Sequence, residues 1–563
     1  MPESEAPVSP TDPPVLGANP FVGLTAGQTA RSLEAVLRRA ASQPRAALSG
    51  AAGAAAQLVE VARGHSDVAP ERGDRRFADP VWTRSPVWHR VMQTYLVGRR
   101  AVLGLADEAD LDPKSRARAT FALSLLTEAA SPTNTLLGNP VAMAKAWQTR
   151  GQSLAAGARH LWHDVRTNGA MPSMVDTRPF EVGGNIAVTP GQVVHRTDVF
   201  ELIQYAPSTG EVYERPLVMI PPQINKYYIT DLAPGRSLVE YAVAAGVPYF
   251  AVSWRNATPA QRDWNLDTYV AACKEATEVA CAITGIETAN VLGICAGGVT
   301  TGCLLGHLAA SGNQIVNSVT FMVAGLDTSE PSTVSELASR RAVEAARNRS
   351  RRAGVLEGHD LGRVFAWLRP NDLVWNYWVS NYLLGENPPA FDILYWNADT
   401  TRLPAGLHSD FLDIFVDNAL AVPGKLEVLG TPIDLSAVTC DAYAVGGLTD
   451  HIIPWTSAYR TTELLGGRSE FVLASSGHIQ AILSPPGSAK ASYWTAPSRR
   501  GRTRPATASE WRERAVQSEG SWWDHWLAWL GRRSGAKRPA PAALGDEARP
   551  PLESAPGRYV HLR

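Results

Sequence analysis

Val291-Leu292-Gly293-Ile294-Cys295-Ala296-Gly297-Gly298 reads as the end of an apolar strand, a Gly-rich turn and the first residues of a helix. Inside it stands the pattern Gly-x-Cys-x-Gly. A chain that turns this sharply holds its central residue in a strained conformation. The residues two before and two after must be small, because strand and helix backbones nearly touch there. The turn also sets the sulfur at a helix N-terminus, where free N–H groups and the helix dipole favour a thiolate and a developing oxyanion. With five Cys and 46 Gly in 563 residues, composition alone gives about 0.03 chance occurrences of the pattern. Cys273, Cys281, Cys303 and Cys440 lack this flanking glycine pair and read as packing residues.

Outward from this turn, strand and helix alternate. Val199–Gln204, Leu217–Ile220 and Tyr249–Trp254 are short β-branched or aromatic runs, with a helical pattern near Leu238–Ala245 between the last two. A helix over Leu266–Thr284 precedes the strand Asn290–Ile294. A helix over Val299–Ala310 and a strand at Ser318–Val323 follow. Such alternation builds right-handed βαβ units and a mostly parallel sheet with helices on both faces. The pattern lapses over 327–430, which holds Trp367, Trp375, Trp378 and Trp396, and resumes at Asp441–Val445 and Phe471–Ala474. A long insertion between core strands is expected to form a cap over the active site, so these four tryptophans are candidate pocket residues.

Two later segments supply partners for a nucleophile. Val445-Gly446-Gly447-Leu448-Thr449-Asp450 runs from a strand into a turn, and Ala474-Ser475-Ser476-Gly477-His478 does the same. Both follow C-terminal strand ends, the edge of a parallel sheet that also carries Cys295. Nucleophile, then acid, then histidine is the order of an α/β-hydrolase core. Cys295, Asp450 and His478 are therefore the candidate catalytic residues. The second oxyanion donor is expected after Leu217–Ile220, in Pro221-Pro222-Gln223-Ile224-Asn225-Lys226. Proline has no N–H to give, which leaves Gln223 or Ile224 beside Ala296.

A cysteine in place of the usual serine suits thioester substrates: thiolate attack exchanges one thioester for another and keeps the acyl group activated for transfer to a hydroxyl. The sequence resembles the polyhydroxyalkanoate synthases from about Asn19-Pro20-Phe21 to Tyr559-Val560-His561. The resemblance rests on Asp74-Arg75-Arg76-Phe77-Ala78-Asp79-Pro80, Pro221-Pro222-Gln223-Ile224-Asn225-Lys226 and Val252-Ser253-Trp254-Arg255-Asn256. It rests also on the Cys295 turn, Arg369-Pro370-Asn371-Asp372-Leu373, Asp450-His451-Ile452 and Ser476-Gly477-His478-Ile479. Length and the helical N-terminal region look like the single-subunit synthases. Asn376-Tyr377-Trp378 and Thr400-Thr401-Arg402-Leu403-Pro404 look closest to class II, associated with medium-chain monomers, although Ile294 and Ala296 are larger or less polar than class II members carry there. The resemblance implies (R)-3-hydroxyacyl-CoA substrates, a growing polyester on Cys295, and a thiol activated by His478. Asp450 either orients His478 or deprotonates the 3-hydroxyl. It further implies a homodimer at the surface of cytoplasmic polyester granules. No cofactor or metal is expected, since CoA is part of the substrate and leaves as product. A Cys-dependent thioesterase or depolymerase of the same fold is the alternative.

The remaining composition fits. Lys plus Arg number 53 against 54 Asp plus Glu, which gives no pull toward nucleic acid or anionic membrane. The cysteines are few, odd in number and not in metal-ligand spacing, as in a reduced compartment. Signal peptide and transmembrane segment are not expected. The expected organisation is a disordered 1–19, a helical domain over 20–180, a catalytic domain over 181–531 with its insertion, and a loose Pro/Ala-rich tail over 532–563. Trp522, Trp526 and Trp529 share a helical face, expected to pack on the core rather than meet the polymer.

Overall fold

A sheet of eleven strands organises the larger of two structural units. The computed structural model describes residues 44–108, 111–330, 340–488, 490–496 and 507–563, with Glu34 and Arg38; the stretch 1–19 lies outside the described residues. One unit takes in the chain up to Asp176 with 340–346 and Arg363–Ala390. The other takes in Thr177 onward, with Arg347–Gly362 and Phe391–Arg563.

The first unit is helical: α1 (Pro44–Arg63), α2 (Pro86–Glu108), α3 (Pro113–Ala129), α4 (Pro140–Gln148) and α5 (Gln152–Thr167). Local sequence sets the starts. Asp112 and Asn139 cap α3 and α4 by accepting from Ser115 N–H and from Val141 and Ala142 N–H, each with a proline at the first helical position. Phe77, Trp82, Met92 and Leu96 form a core in this unit. Segments 340–346 and Arg363–Ala390, expected within the cap, belong to this unit instead. Gly157 shows why: a Cβ there would lie 2.0 Å from Tyr382 O, and Tyr382 Oη donates to the buried Asp164 at 2.7 Å.

The sheet of the second unit contains, in chain order, β1 (Gly191–Arg196), β2 (Phe200–Tyr205), β3 (Leu217–Ile220), β4 (Tyr249–Trp254), β5 (Ala289–Ile294), β6 (Val316–Met322), β7 (Asp441–Gly447), β8 (Ser469–Ala474), β9 (Ser492–Thr495), β10 (Val516–Glu519) and β11 (Glu553–Ser554). Their spatial order is β10-β9-β8-β7-β6-β5-β3-β4-β2-β1-β11. Strands β4, β3, β5, β6, β7 and β8 run parallel, and antiparallel strands extend both edges. The parallel strands β3, β4 and β5 are buried at every residue, as a sheet covered on both faces requires. Helices α6 (Leu238–Ala244), α7 (Leu266–Thr284), α8 (Ala296–Ala310), α9 (Trp455–Leu464) and α10 (Trp522–Gly531) belong to this unit. After β3 the chain adds β4 on one side and then β5 on the other. This switch point opens a crevice at the C-terminal strand ends.

The C-terminal stretch is ordered, contrary to the loose tail its composition suggests. Lys537–Pro539 pairs with Glu211–Tyr213, and β11 pairs with β1. The reason is charge buried on the core. Glu201, fully enclosed, accepts the N–H groups of Arg558 and Tyr559 at 3.0 and 2.9 Å, and Lys226 Nζ donates to Leu562 O at 2.8 Å. Glu201 also pairs with Arg196 at 2.6 Å, but Lys226 has its hydrogen-bond acceptors in the tail, Tyr559 O and Leu562 O, and would be stranded without it. Trp522, Trp523, Trp526 and Trp529 are all buried, and Trp526 Nε1 donates to Thr320 Oγ1 on β6 at 3.0 Å.

Candidate active site

Cys295 lies between β5 and α8 with φ 51° and ψ −120°, a conformation that an L-residue holds only under strain. Its N–H donates to Met322 O on β6 at 3.0 Å. The flanking glycines have no room for a side chain. A Cβ on Gly293 would come within 2.5 Å of Thr301 Oγ1, and one on Gly297 within 2.4 Å of Ile220 O and 2.5 Å of Pro221 O. The same turn therefore brings the N-terminus of α8 against the loop after β3. Cys295 is partly exposed, while Cys273, Cys281 and Cys303 are buried. Burial pushes the Cys281 and Cys440 thiols up to about 11, and those of Cys273 and Cys303 higher still.

The turns after β7 and β8 bring the other two candidates to Cys295. Leu448 N–H donates to Ala474 O at 2.8 Å and Thr449 N–H to Ser476 O at 3.2 Å, which stitches the two turns together. His478 opens a short helix, His478–Ile482, and its Nδ1 meets Asp450 Oδ2 at 2.6 Å. The other carboxylate oxygen accepts Ile452 and Ile453 N–H at 2.8 and 3.0 Å. The side chains of His478 and Asp450 are 8% and 1% exposed. Burial opposes a charged imidazole here, but Asp450 and Cys295, through charge and hydrogen bonds to both, raise His478 well above its ordinary 6.5. With Nδ1 on the carboxylate, Nε2 is left for the sulfur. Nucleophile, base and carboxylate thus form one chain of contacts.

The loop after β3 is fixed by residues that the sequence did not single out for this task. Thr401 Oγ1 donates to Gln223 O at 2.6 Å and Thr401 N–H to Ile224 O at 3.3 Å. Gln223 Nε2 donates to Thr300 Oγ1 on α8 at 2.9 Å, and Trp254 Nε1 to Pro221 O at 3.0 Å. Among the described residues the N–H groups of Gln223 and Ile224 have no acceptor, so both stay candidates beside Ala296. Thr401 lies 178 positions from Gln223, and no local pattern points to such a contact.

Of the four candidate pocket tryptophans, only Trp396 belongs to this unit. It is buried and donates from Nε1 to Lys226 O at 2.7 Å, bracing the same loop. Trp367, Trp375 and Trp378 belong to the helical unit, where they stack edge to face at 6.3 and 5.9 Å between centroids. His408 is buried and bonded to Ser350 Oγ at 2.8 Å, and burial brings its imidazole down to about 4.

A family model described as the N-terminus of poly-beta-hydroxybutyrate polymerase (PhaC) matches residues 73–242, and one described as the alpha/beta hydrolase fold matches residues 216–485. Poly(3-hydroxyalkanoate) polymerase 1 of Ectopseudomonas oleovorans is 48% identical over 548 residues, 97% of each chain. Polymerase 2 of the same organism is 48% identical over 509 residues, 90% of each. The poly(3-hydroxyalkanoate) polymerase subunit PhaC of Cupriavidus necator is 40% identical over 510 residues, 89% of this chain and 85% of that one. The chain belongs to the poly(3-hydroxyalkanoate) polymerases, acyltransferases that build polyesters.

Proposed function

We propose that Cys295 attacks the thioester of an (R)-3-hydroxyacyl-CoA and carries the polyester as a cysteine thioester. The sulfur adds to the carbonyl carbon. The carbonyl oxygen takes up the charge beside the N–H groups of Ala296 and of Gln223 or Ile224. The bond to the CoA sulfur then breaks, and the departing thiolate takes the proton held on His478. In the second half-reaction the 3-hydroxyl of another unit gives its proton to His478. Its oxygen attacks the Cys295 thioester, an ester bond forms, and the Cys295 thiolate leaves beside an imidazolium. The reaction so written draws on no cofactor; CoA is a product.

One observation carries this reading: the contact chain from Cys295 through His478 to Asp450, at the edge of the sheet where β5, β7 and β8 end. Asp450 has both oxygens engaged and almost no exposure. That favours it as the group that orients His478 and stabilises the imidazolium, rather than as the base that meets the alcohol. The working form is taken to be a homodimer at the surface of a polyester granule in the cytoplasm. No helix among the described residues is long and apolar enough to cross a membrane.

The test follows CoA release and insoluble polymer together, with (R)-3-hydroxybutyryl-CoA and longer homologues. Wild type should make both products, and Cys295→Ser should be nearly inactive, because a hydroxyl is far less acidic than a thiol. Full activity in that variant, or release of free hydroxy acid without polymer, would overturn the proposal.

A further inference from the structure

Two segments stand apart from the chemistry above: Asp74-Arg75-Arg76-Phe77-Ala78-Asp79-Pro80 and Arg369-Pro370-Asn371-Asp372-Leu373. They lie almost three hundred residues apart, yet within the helical unit they line one cavity of about 710 Å³. Its wall carries six guanidinium groups, those of Arg72, Arg75, Arg76, Arg99, Arg100 and Arg369, against the carboxyls of Glu71, Asp74, Glu128 and Asp372.

The ion pairs account for only part of this charge. Arg76 is bound bidentately to Asp74, at 2.9 and 2.7 Å, and also to Tyr95 Oη at 2.9 Å. Arg369 pairs with Asp372. Arg99 stands 3.5 Å from Glu71 and 3.8 Å from Glu128, too far for close hydrogen bonds. Arg72 and Arg75 are exposed and, among the described residues, face no carboxylate within ion-pair distance.

Four polar atoms of the wall are buried without a hydrogen-bond partner: Arg99 Nε, Trp375 Nε1, Glu128 Oε2 and Asn371 Oδ1. Glu128 is 8% exposed, and burial raises its carboxyl despite Arg76, Arg99 and a hydrogen bond from the Asn371 side chain, which leaves Oε2 and Asn371 Oδ1 as the unmatched acceptor atoms. Leaving such groups unmatched is costly. Two of the four are donors and two are acceptors, so a bare anion answers only half of them. The occupant must bring negative charge for the arginines and also N–H or O–H groups for Glu128 and Asn371. Trp375 and Tyr377 line the same wall, and aromatic rings suit a planar group.

We propose that this cavity is a binding site for a phosphate ester that also carries N–H or O–H donors, the chemistry of a nucleotide. Guanidinium groups match phosphate oxygens in geometry and charge. The same chemistry is offered by a free nucleotide and by the phosphoadenosine end of CoA. The proposal stands apart from the thioester reading, because its residues are not among those the reaction above uses.

The test is calorimetric titration of the full-length protein with inorganic pyrophosphate, ADP and CoA. ADP and CoA should each saturate at one per chain. Arg72→Gln and Arg369→Gln, both solvent-facing and safe for folding, should each weaken ADP about tenfold or more, as should Trp375→Phe. Cys295→Ala should leave ADP unchanged. CoA binding more tightly than ADP, with the same sensitivity to the arginine variants, would identify the substrate's own nucleotide as occupant; equal affinity would identify a free nucleotide. Pyrophosphate matching ADP would overturn the requirement for donors. No saturable binding of any probe, or binding indifferent to all three cavity variants, would overturn the site.

Discussion

Asp450→Asn tests the role of the buried carboxylate most directly. The substitution keeps shape and volume but removes the negative charge beside His478. Unit charges about 4 Å apart are worth about 4 kcal/mol at an effective dielectric of about 20. The 2.6 Å contact between Nδ1 and Oδ2, with both side chains nearly sealed from water, places the pair in that range. In the proposed reaction the imidazolium forms when the alcohol is deprotonated, so this energy is lost from the barrier. At 1.36 kcal/mol per decade, kcat should fall by about 10³. A second effect adds to the first. Asp450 Oδ1 already accepts two backbone N–H groups, so the amide of the variant must turn its NH2 toward His478. Nδ1 then has to accept, the ring carries its proton on Nε2, and the base facing Cys295 is lost. The assay is the rate of CoA release under saturating substrate, with NMR titration of His478 alongside. The imidazole should titrate lower in the variant, because the raising charge of Asp450 is gone. A kcat within tenfold of wild type, or an unmoved titration, would refute the reasoning.

Gly297→Ala should cost about 1–3 kcal/mol in urea unfolding despite better helix propensity, because the added carbon meets Ile220 O and Pro221 O at 2.4 and 2.5 Å. It should also lower kcat by about 10² or more, since the displaced loop carries the proposed oxyanion donor. Lys226 supplies a pH effect: burial brings its ammonium down to about 8 from 10.5. The unfolded chain keeps that proton between those limits and the folded one sheds it, so stability from this group rises with pH across 8 to 10.5. Below 8 the full cost of the buried charge is present. Urea unfolding of wild type against Lys226→Met should therefore show a difference that shifts by about 2–3 kcal/mol in favour of wild type between pH 8 and 10; a constant difference would sink the assignment. Trp526→Ala removes a side chain that is fully buried and bonded to Thr320 and should cost about 3–5 kcal/mol in the same assay.

By itself the sequence determined the core strands and the three residues at their ends. Leu217–Ile220, Tyr249–Trp254 and Leu266–Thr284 coincide with the elements observed, because central parallel strands are continuous apolar runs and α7 carries its own signals. Asn265 caps its start and Gly285, at φ 66°, closes its end. The Cys295 turn was legible because its steric demand falls on residues two positions away, which leaves a mark in local sequence. Strands β1, β9, β10 and β11 were not legible. They lie toward the sheet edges, are short or half-polar, and exist because a neighbour supplies the ladder. Only the tertiary structure decided that Thr401 and Trp396 brace the loop after β3, that Glu201 and Lys226 order the C-terminal stretch, and that Trp367, Trp375 and Trp378 belong to the helical unit. The bonds made by Thr401, Trp396, Glu201 and Lys226 each join residues more than a hundred positions apart. Such pairing is set by the energy of leaving a buried polar group or an apolar face unmatched, and that quantity exists only once the chain has folded.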